Sequence, residues 1–347
     1  MDLALLQSIW FYLFGVLIAG YAILDGFDLG AGALSLFARN ERERGQHMDA
    51  IAPVWDGNEV WLLTAGGALF AAFPPVYATV FSGFYIAFML LLAALIFRAV
   101  SLEFRHRVDA PGWRRGWDCA FGLGSLVPAL LYGVAVGNVM RGLPLDAAGV
   151  FTGTFLGLLN PYALLTGALS LAMFLTHGAR YLAMKAEGDL AARMAQWAPR
   201  LWMAWAALWV LGTLATLFVS PFLFEGLLRN PAFWVLLVLA LGALIAVPVA
   251  NGSGKRAAAF VASSVAIAAQ TALAGLSLYP RLVPSLTGLG NSLTIHNSSS
   301  SRLTLMTMLV IALIGVPIML AYTVFIYRVF RGRVRPGEFY HAPGRPG

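Results

Sequence analysis

Four carboxyl groups lie in stretches of the chain that are otherwise apolar. Asp25 and Asp28 sit in Tyr21-Ala22-Ile23-Leu24-Asp25-Gly26-Phe27-Asp28, and Asp56 and Glu59 in Pro53-Val54-Trp55-Asp56-Gly57-Asn58-Glu59. Each pair is spaced i, i+3, so on a helix each pair shares one face. A carboxyl at membrane depth is expensive, and such groups face a protein interior or a wet path, where they can take up a proton and pass it on. A structural role competes with this: pairing with a loop arginine such as Arg39 or Arg42, or accepting from loop amides. That role suits Asp28 and Glu59 as well as proton transfer does. Asp25 and Asp56, each beside a glycine within apolar sequence, are the better proton carriers. Arg98 and Glu103 flank the end of a later apolar run. Arg98 either closes a buried pair with one of these acids or makes an ordinary interface ion pair, the commoner arrangement.

The elements that hold these groups follow from composition. Of 347 residues, 60% are hydrophobic and only 11% charged, with a mean hydropathy of +0.77. A soluble domain carries about 25% charged residues, so a soluble enzyme with one lipid tether and a disordered chain are both excluded. A spanning helix needs about 20 mostly apolar residues. Nine stretches qualify, approximately 5–28, 54–73, 77–98, 118–140, 158–182, 201–224, 232–250, 258–279 and 304–328. Between them stand breaks such as Phe73-Pro74-Pro75, Ala110-Pro111-Gly112, Gly142-Leu143-Pro144, Asn230-Pro231 and Asn251-Gly252-Ser253-Gly254. Asn160-Pro161 reads as a helix cap with proline at the first helical position. Residues 280–303, rich in Ser and Asn, read as a surface loop. The start, Met1-Asp2-Leu3, lacks a basic segment, so the first apolar run reads as a membrane helix and not as a cleaved signal peptide.

The expected fold is therefore an all-α integral membrane protein, one polytopic domain over 1–347. Alternating the spans places Arg141, Arg229, Arg281 and Arg302 on one side and the rest of the 23 basic residues on the other. The basic side is cytoplasmic by the positive-inside rule. This puts the N-terminus outside (periplasmic or extracellular), the C-terminus in the cytoplasm, and all four carboxyls near the cytoplasmic ends of the first two helices. The net charge of +7 then faces anionic lipid, and nucleic-acid binding loses its support.

Other chemistry is sparse. The single cysteine, Cys119, excludes a disulfide framework, a Cys-ligated cluster and a CxxCH haem attachment. Of His47, His106, His177, His296 and His341, only His177 falls near a span, without a second ligand at useful spacing, and it reads as a polar end-of-helix residue. No metal site is expected from this chain alone. Gly252-Ser253-Gly254-Lys255 lacks the earlier glycine and the strand of a phosphate loop and is rejected. Gly133 with Gly137, and Gly66 with Gly67, read as sites of close helix approach. Trp55, Trp61, Trp113, Trp117, Trp197, Trp202 and Trp234 read mostly as an aromatic belt. Two functions fit these features: an autonomous ion-coupled secondary transporter, or a cofactor-free subunit supporting a partner that holds redox centres. A transporter would carry inverted repeats and broken helices near mid-membrane, and no clear internal repeat is present.

Motifs favour the second. Gly26-Phe27-Asp28-Leu29-Gly30-Ala31-Gly32 resembles the GFDxGxG signature of subunit II of cytochrome bd-type quinol oxidases. Ala52-Pro53-Val54-Trp55-Asp56-Gly57-Asn58-Glu59-Val60-Trp61-Leu62 resembles that family's (A/G)PxWDGNxVWL segment, and the similarity continues through Thr64–Pro74. Phe81-Ser82-Gly83-Phe84-Tyr85, the Arg98 region, Gly133 to Asn138, Asn160-Pro161-Tyr162 and Leu303-Thr304-Leu305 extend it over essentially the whole chain.

The resemblance implies a nine-helix subunit that binds no haem and holds no catalytic residue. It packs against subunit I as a heterodimer in the bacterial or archaeal cell membrane. That partner carries two b-type haems and one d-type haem, oxidises quinol near the outer face and reduces O₂ to water with cytoplasmic protons. Small accessory subunits and a quinone held in subunit II as a structural lipid are further candidate partners. The acids of the first two motifs are assigned in the family to a proton path along the subunit interface. Asp25 and Asp56 match those positions, Asp28 matches the motif, and Glu59 stands at the variable position after WDGN. Trp55, Gly57 and Asn58 belong to the same motif, and Trp61 matches a tryptophan associated with O₂ access. The stretch of about 184–232, where the family varies most, is here a short connection.

Overall fold

The computed structural model describes residues 1–334; Arg335, Arg345 and His341 lie outside them. Eleven α-helices carry the described residues: α1 Leu3–Leu34, α2 Glu41–Ile51, α3 Trp55–Ala72, α4 Pro74–Gly83, α5 Tyr85–Phe104, α6 Pro111–Arg141, α7 Pro161–Lys185, α8 Asp189–Val219, α9 Pro231–Gly252, α10 Arg256–Leu278 and α11 Arg302–Val329. Eight are long and apolar enough to cross a membrane: α1, α5, α6, α7, α8, α9, α10 and α11. The eighteen-residue α3 falls outside that set because Asp56, Asn58 and Glu59 occupy its first two turns.

Capping chemistry sets the helix starts. Asp2 accepts from the Ala4 amide, Asn40 from Glu43, Asn160 from Ala163, and Ser301 from Thr304. Pro74 and Pro75 begin α4 after Phe73 leaves helical geometry. The stretch expected as one helix over 77–98 is in fact two, because the chain turns at Phe84 (φ −98°, ψ 18°) between α4 and α5. The first helix also runs past 28: α1 continues to Leu34 and a 3₁₀ turn follows at Ser35–Phe37. Asp25 and Asp28 therefore lie about two turns inside the helix and not at its end, since 3.6 residues make a turn.

Helices α1 and α7 form the centre, with α3, α6, α8 and α10 around them. Their crossing is made possible by Gly30 and Gly178. A methyl on Gly30 would stand 1.9 Å from the Phe174 carbonyl oxygen, and one on Gly178 would stand 2.4 Å from the Ala31 nitrogen. Gly133 and Gly137 likewise bring α6 against Thr166 on α7, as the spacing suggested. Among the described residues Gly66 and Gly67 do not approach another helix: a methyl added to either would meet nothing within 4 Å. Residues 280–303 are not simply a surface loop. Strands β1 Arg281–Val283 and β2 Leu293–Thr294 pair antiparallel, and Leu282, Val283, Leu293 and Ile295 are buried against Leu143, Leu145 and the start of α11. On α11 only Leu305 is buried, which leaves an apolar outer face from Val310 to Val329.

Candidate functional site

Four helices converge on the two aspartates of α1. Asp25 and Asp28 are 0% exposed. From α5, Arg98 reaches Asp25 with both terminal nitrogens, Nη1 to Oδ2 at 3.0 Å and Nη2 to Oδ1 at 2.5 Å. The same Nη2 lies 4.0 Å from Asp28 Oδ2. Arg98 is itself 1% exposed, so the alternative favoured by sequence, an ordinary interface pair, gives way to a buried bidentate one. Guanidinium geometry matches a carboxylate edge to edge, and burial demands such a partner. Neither Arg39 nor Arg42 pairs with Asp25 or Asp28.

From α3, Asn58 donates Nδ2 to Asp28 Oδ2 at 2.7 Å and to the Leu24 carbonyl at 3.2 Å. From α11, Tyr327 donates its hydroxyl to Asn58 Oδ1 at 2.9 Å. All four helices are thus tied by polar contacts around one point. Two buried atoms there have no partner, Asp28 Oδ1 and Arg98 Nε. Asp25 spends both oxygens on Arg98, whereas Asp28 spends only one, on Asn58.

The second pair of acids divides. Glu59 is half-buried and lies within the electrostatic reach of Arg98 and Asp25. Asp56 is exposed on this chain, contrary to the burial expected for it. It heads a stripe along α3, with Val60, Leu63, Gly67 and Phe70, that faces outward from the chain. Trp55 and Gly57 lie at the head of the same helix, and a methyl on Gly57 would touch nothing. Trp61 is not a belt residue: it is 7% exposed, packed against Gly20, and its indole Nε1 is unpartnered.

The described histidines lie apart from one another, each held by its own neighbours. His177 is fully buried and not at a helix end. Its Nδ1 lies 2.7 Å from Ser263 Oγ, its Nε2 3.0 Å from the Ile23 carbonyl, and its ring stacks on Phe260. Both nitrogens are spent, so iron ligation would break a bridge between α1, α7 and α10. Among the described residues no three His, Cys, Asp or Glu groups cluster as metal ligands. Cys119 is exposed and alone.

His47, on the short helix α2 outside the spans, is 0% exposed and bonds the Ala31 carbonyl through Nδ1 at 2.8 Å. Burial lowers its pKa from 6.5 to about 4, Arg193 adding to the effect and the Ala31 bond opposing it. The folded chain therefore binds this proton less readily than the unfolded chain does. Stability contributed here is present above pH 6.5 and falls as pH drops towards 4, by about 1.4 kcal/mol per unit. The variant His47→Gln should flatten that loss, as measured by thermal unfolding of the detergent-solubilised complex at pH 7.5 and 5.

Sequence reading missed Tyr327, whose partner Asn58 stands 269 positions away. No local signal near the end of the last span joins it to the acids of α1 and α3.

Comparison with known proteins is consistent across sequence and fold. Residues 6–330 match the family model described as cytochrome bd terminal oxidase subunit II. The chain is 39% identical over 364 residues to the cytochrome bd-I ubiquinol oxidase subunit 2 of Escherichia coli K12, covering 96% of each. It is 34% identical over 338 residues to the cytochrome bd ubiquinol oxidase subunit 2 of Bacillus subtilis, covering 97% of this chain and 99% of that one. The bd oxidase structure from Geobacillus thermodenitrificans shares its fold at a TM-score of 0.78 and 20% identity, over 94% of this chain and 98% of that one. A model spanning nearly the whole sequence and relatives above 30% identity decide the matter: the chain belongs to the cytochrome bd terminal oxidase subunit II family.

Proposed function

We propose that this chain is the non-haem half of a quinol:O₂ oxidoreductase, and that its acidic centre conducts protons from the cytoplasm towards a haem-bearing subunit I. It spans the membrane nine times as one domain, α3 supplying a span beyond the eight apolar ones, with its N-terminus outside and its C-terminus inside. The orientation rests on the one-sided distribution of arginine, which also places Asp56 nearest the cytoplasm. The partner holds two b-type haems and one d-type haem, and those haems supply the electron transfer and the oxygen chemistry. Quinone as a structural lipid and small accessory subunits complete the assembly.

The observation that carries the reading is the buried set of Asp25, Arg98, Asp28 and Asn58, next to a helix whose outer stripe begins at Asp56. A membrane protein keeps such groups where ions or protons move. Protons enter at Asp56, pass Glu59, and load onto Asp28 at its free Oδ1. Asp25 is the standing counter-charge of Arg98. The outward stripe of α3, with Trp55, Gly57, Gly66 and Gly67 close by, is the surface offered to subunit I, where small residues admit a close helix. Trp61 lines the same region from inside.

The test is Asp56→Asn in the purified complex. Quinol-driven O₂ consumption should fall severalfold while haem absorption is retained, because water at this exposed position replaces only part of what the carboxylate does. A wild-type rate would remove Asp56 from the path.

A further inference from the structure

We propose that Tyr327 is a positioning residue for proton transfer at Asp28, acting through the side-chain amide of Asn58. The proposal rests on the proton-path reading above and extends it to a helix, α11, that carries no acid.

The hydrogen-bond count around Asn58 carries the argument. An asparagine amide has two N–H donors and one carbonyl acceptor. Both donors are in use, to Asp28 Oδ2 and to the Leu24 carbonyl. The acceptor takes the Tyr327 hydroxyl at 2.9 Å. Asn58 is 1% exposed, so each of these bonds replaces one that water would otherwise supply. The Leu24 carbonyl and the Asp28 carboxylate, both acceptors, set which end of the amide meets Asp28, and the tyrosine hydroxyl anchors the carbonyl end that remains. With the carbonyl held towards α11, the carboxyl meets only N–H. Its second oxygen, Oδ1, is buried and unpartnered, and it is the atom on which the proton loads.

Without the hydroxyl, nothing on α11 holds the carbonyl. The amide, its carbonyl left buried without a donor, is then free to shift and draw its N–H away from Asp28. A proton that loads onto Asp28 would leave more slowly, because the carboxylate left behind has lost that N–H donor. The step itself is a bare proton transfer. One O–H bond forms on Asp28 as one breaks on the donor, and the same proton later leaves to the next acceptor. The charged and titratable groups surrounding Asp28 are Asp25 on its own helix, Arg98 on α5, Glu59 on α3, Tyr181 on α7 and Tyr327 on α11. Of these, Tyr327 alone is joined to Asp28 through a bridging side chain, whose carbonyl it holds in place.

The experiment compares Tyr327→Phe, Asp28→Asn and the double variant, each as the intact haem-bearing complex. Phenylalanine keeps the ring and removes only the hydroxyl. For Y327F the rate at saturating quinol should fall about fivefold, the rate equivalent of one ordinary hydrogen bond. The quinol KM and the haem absorption should be unchanged, and the solvent deuterium isotope effect should rise because proton release now limits turnover. In the Asp28→Asn background the same change should cost nothing further, since the group that Tyr327 positions is gone. A wild-type rate and isotope effect in Y327F, or an additional loss in the double variant, would overturn the proposal. So would a Y327F chain that fails to assemble, because the hydroxyl would then be a structural element only. If D28N itself turns over at the wild-type rate, the proton-path reading fails. If D28N is slow and Y327F is not, only the role of Tyr327 fails.

Discussion

Replacing Arg98 by leucine should eliminate the complex from the membrane, and not merely slow it. Both terminal nitrogens of Arg98 are committed to Asp25, and neither residue is more than 1% exposed. With the cation gone, two buried carboxylates face each other across one turn of α1. Breaking a buried pair by removing one partner costs about 3–5 kcal/mol, a large share of the roughly 5–15 kcal/mol by which a native fold is stable. The paired variant Asp25→Asn with Arg98→Leu should recover part of the assembly, since of the two buried carboxylates that faced the guanidinium only Asp28 then remains. The measurement is the haem-bearing complex per milligram of membrane protein, read from its absorption spectrum. Wild-type levels of R98L would show that Asp25 holds its charge without the guanidinium. A double variant no better than R98L would show that Arg98 matters for its packing instead.

Much of this centre was legible before any coordinates. The spacing of Asp25 with Asp28 and of Asp56 with Glu59 put the acids on two early helices, and composition placed those helices in a membrane. The Gly133 and Gly137 contact was legible too, because small residues at a four-residue interval can serve little else in an apolar helix. What sequence could not rank was the pairing. Arg98 lies 73 positions from Asp25, and nothing local distinguishes an arginine that turns inward from one that reaches the interface. The exposure of Asp56 is hidden from the sequence for a related reason. A glycine neighbour within an apolar run is equally suited to a helix packed inside the chain and to one packed against another polypeptide, and here α3 turns Asp56, Gly66 and Gly67 outward. The break at Phe84 escaped because no proline or glycine pair marks it, only Gly83 in an otherwise continuous apolar run. Sequence puts His177 near a helix end, but α7 runs on to Lys185, so the residue lies in the interior and bridges three helices.

Asparagine at position 28 should separate the two aspartates by function. The substitution keeps the shape of the side chain, and the new amide oxygen can still accept from Asn58 Nδ2, which lies 2.7 Å from Asp28 Oδ2. Arg98 retains its bidentate partner in Asp25, so no buried charge is left alone and the haem-bearing complex should assemble in normal amount. What disappears is the free carboxylate oxygen, the only atom of the pair not already engaged. Turnover with quinol should therefore fall about 100-fold, the low end of what a positioned proton-transfer group contributes. Asp25→Asn should do the opposite: it leaves Arg98 with only Asp28 at 4.0 Å, and the loss should appear in the amount of complex and not in the rate of what remains. Oxygen consumption normalised to haem distinguishes the two outcomes. If Asp25→Asn assembles normally and turns over slowly while Asp28→Asn behaves as wild type, the roles given to the two carboxyls are reversed, and the ion pair with Arg98 must open during each proton transfer.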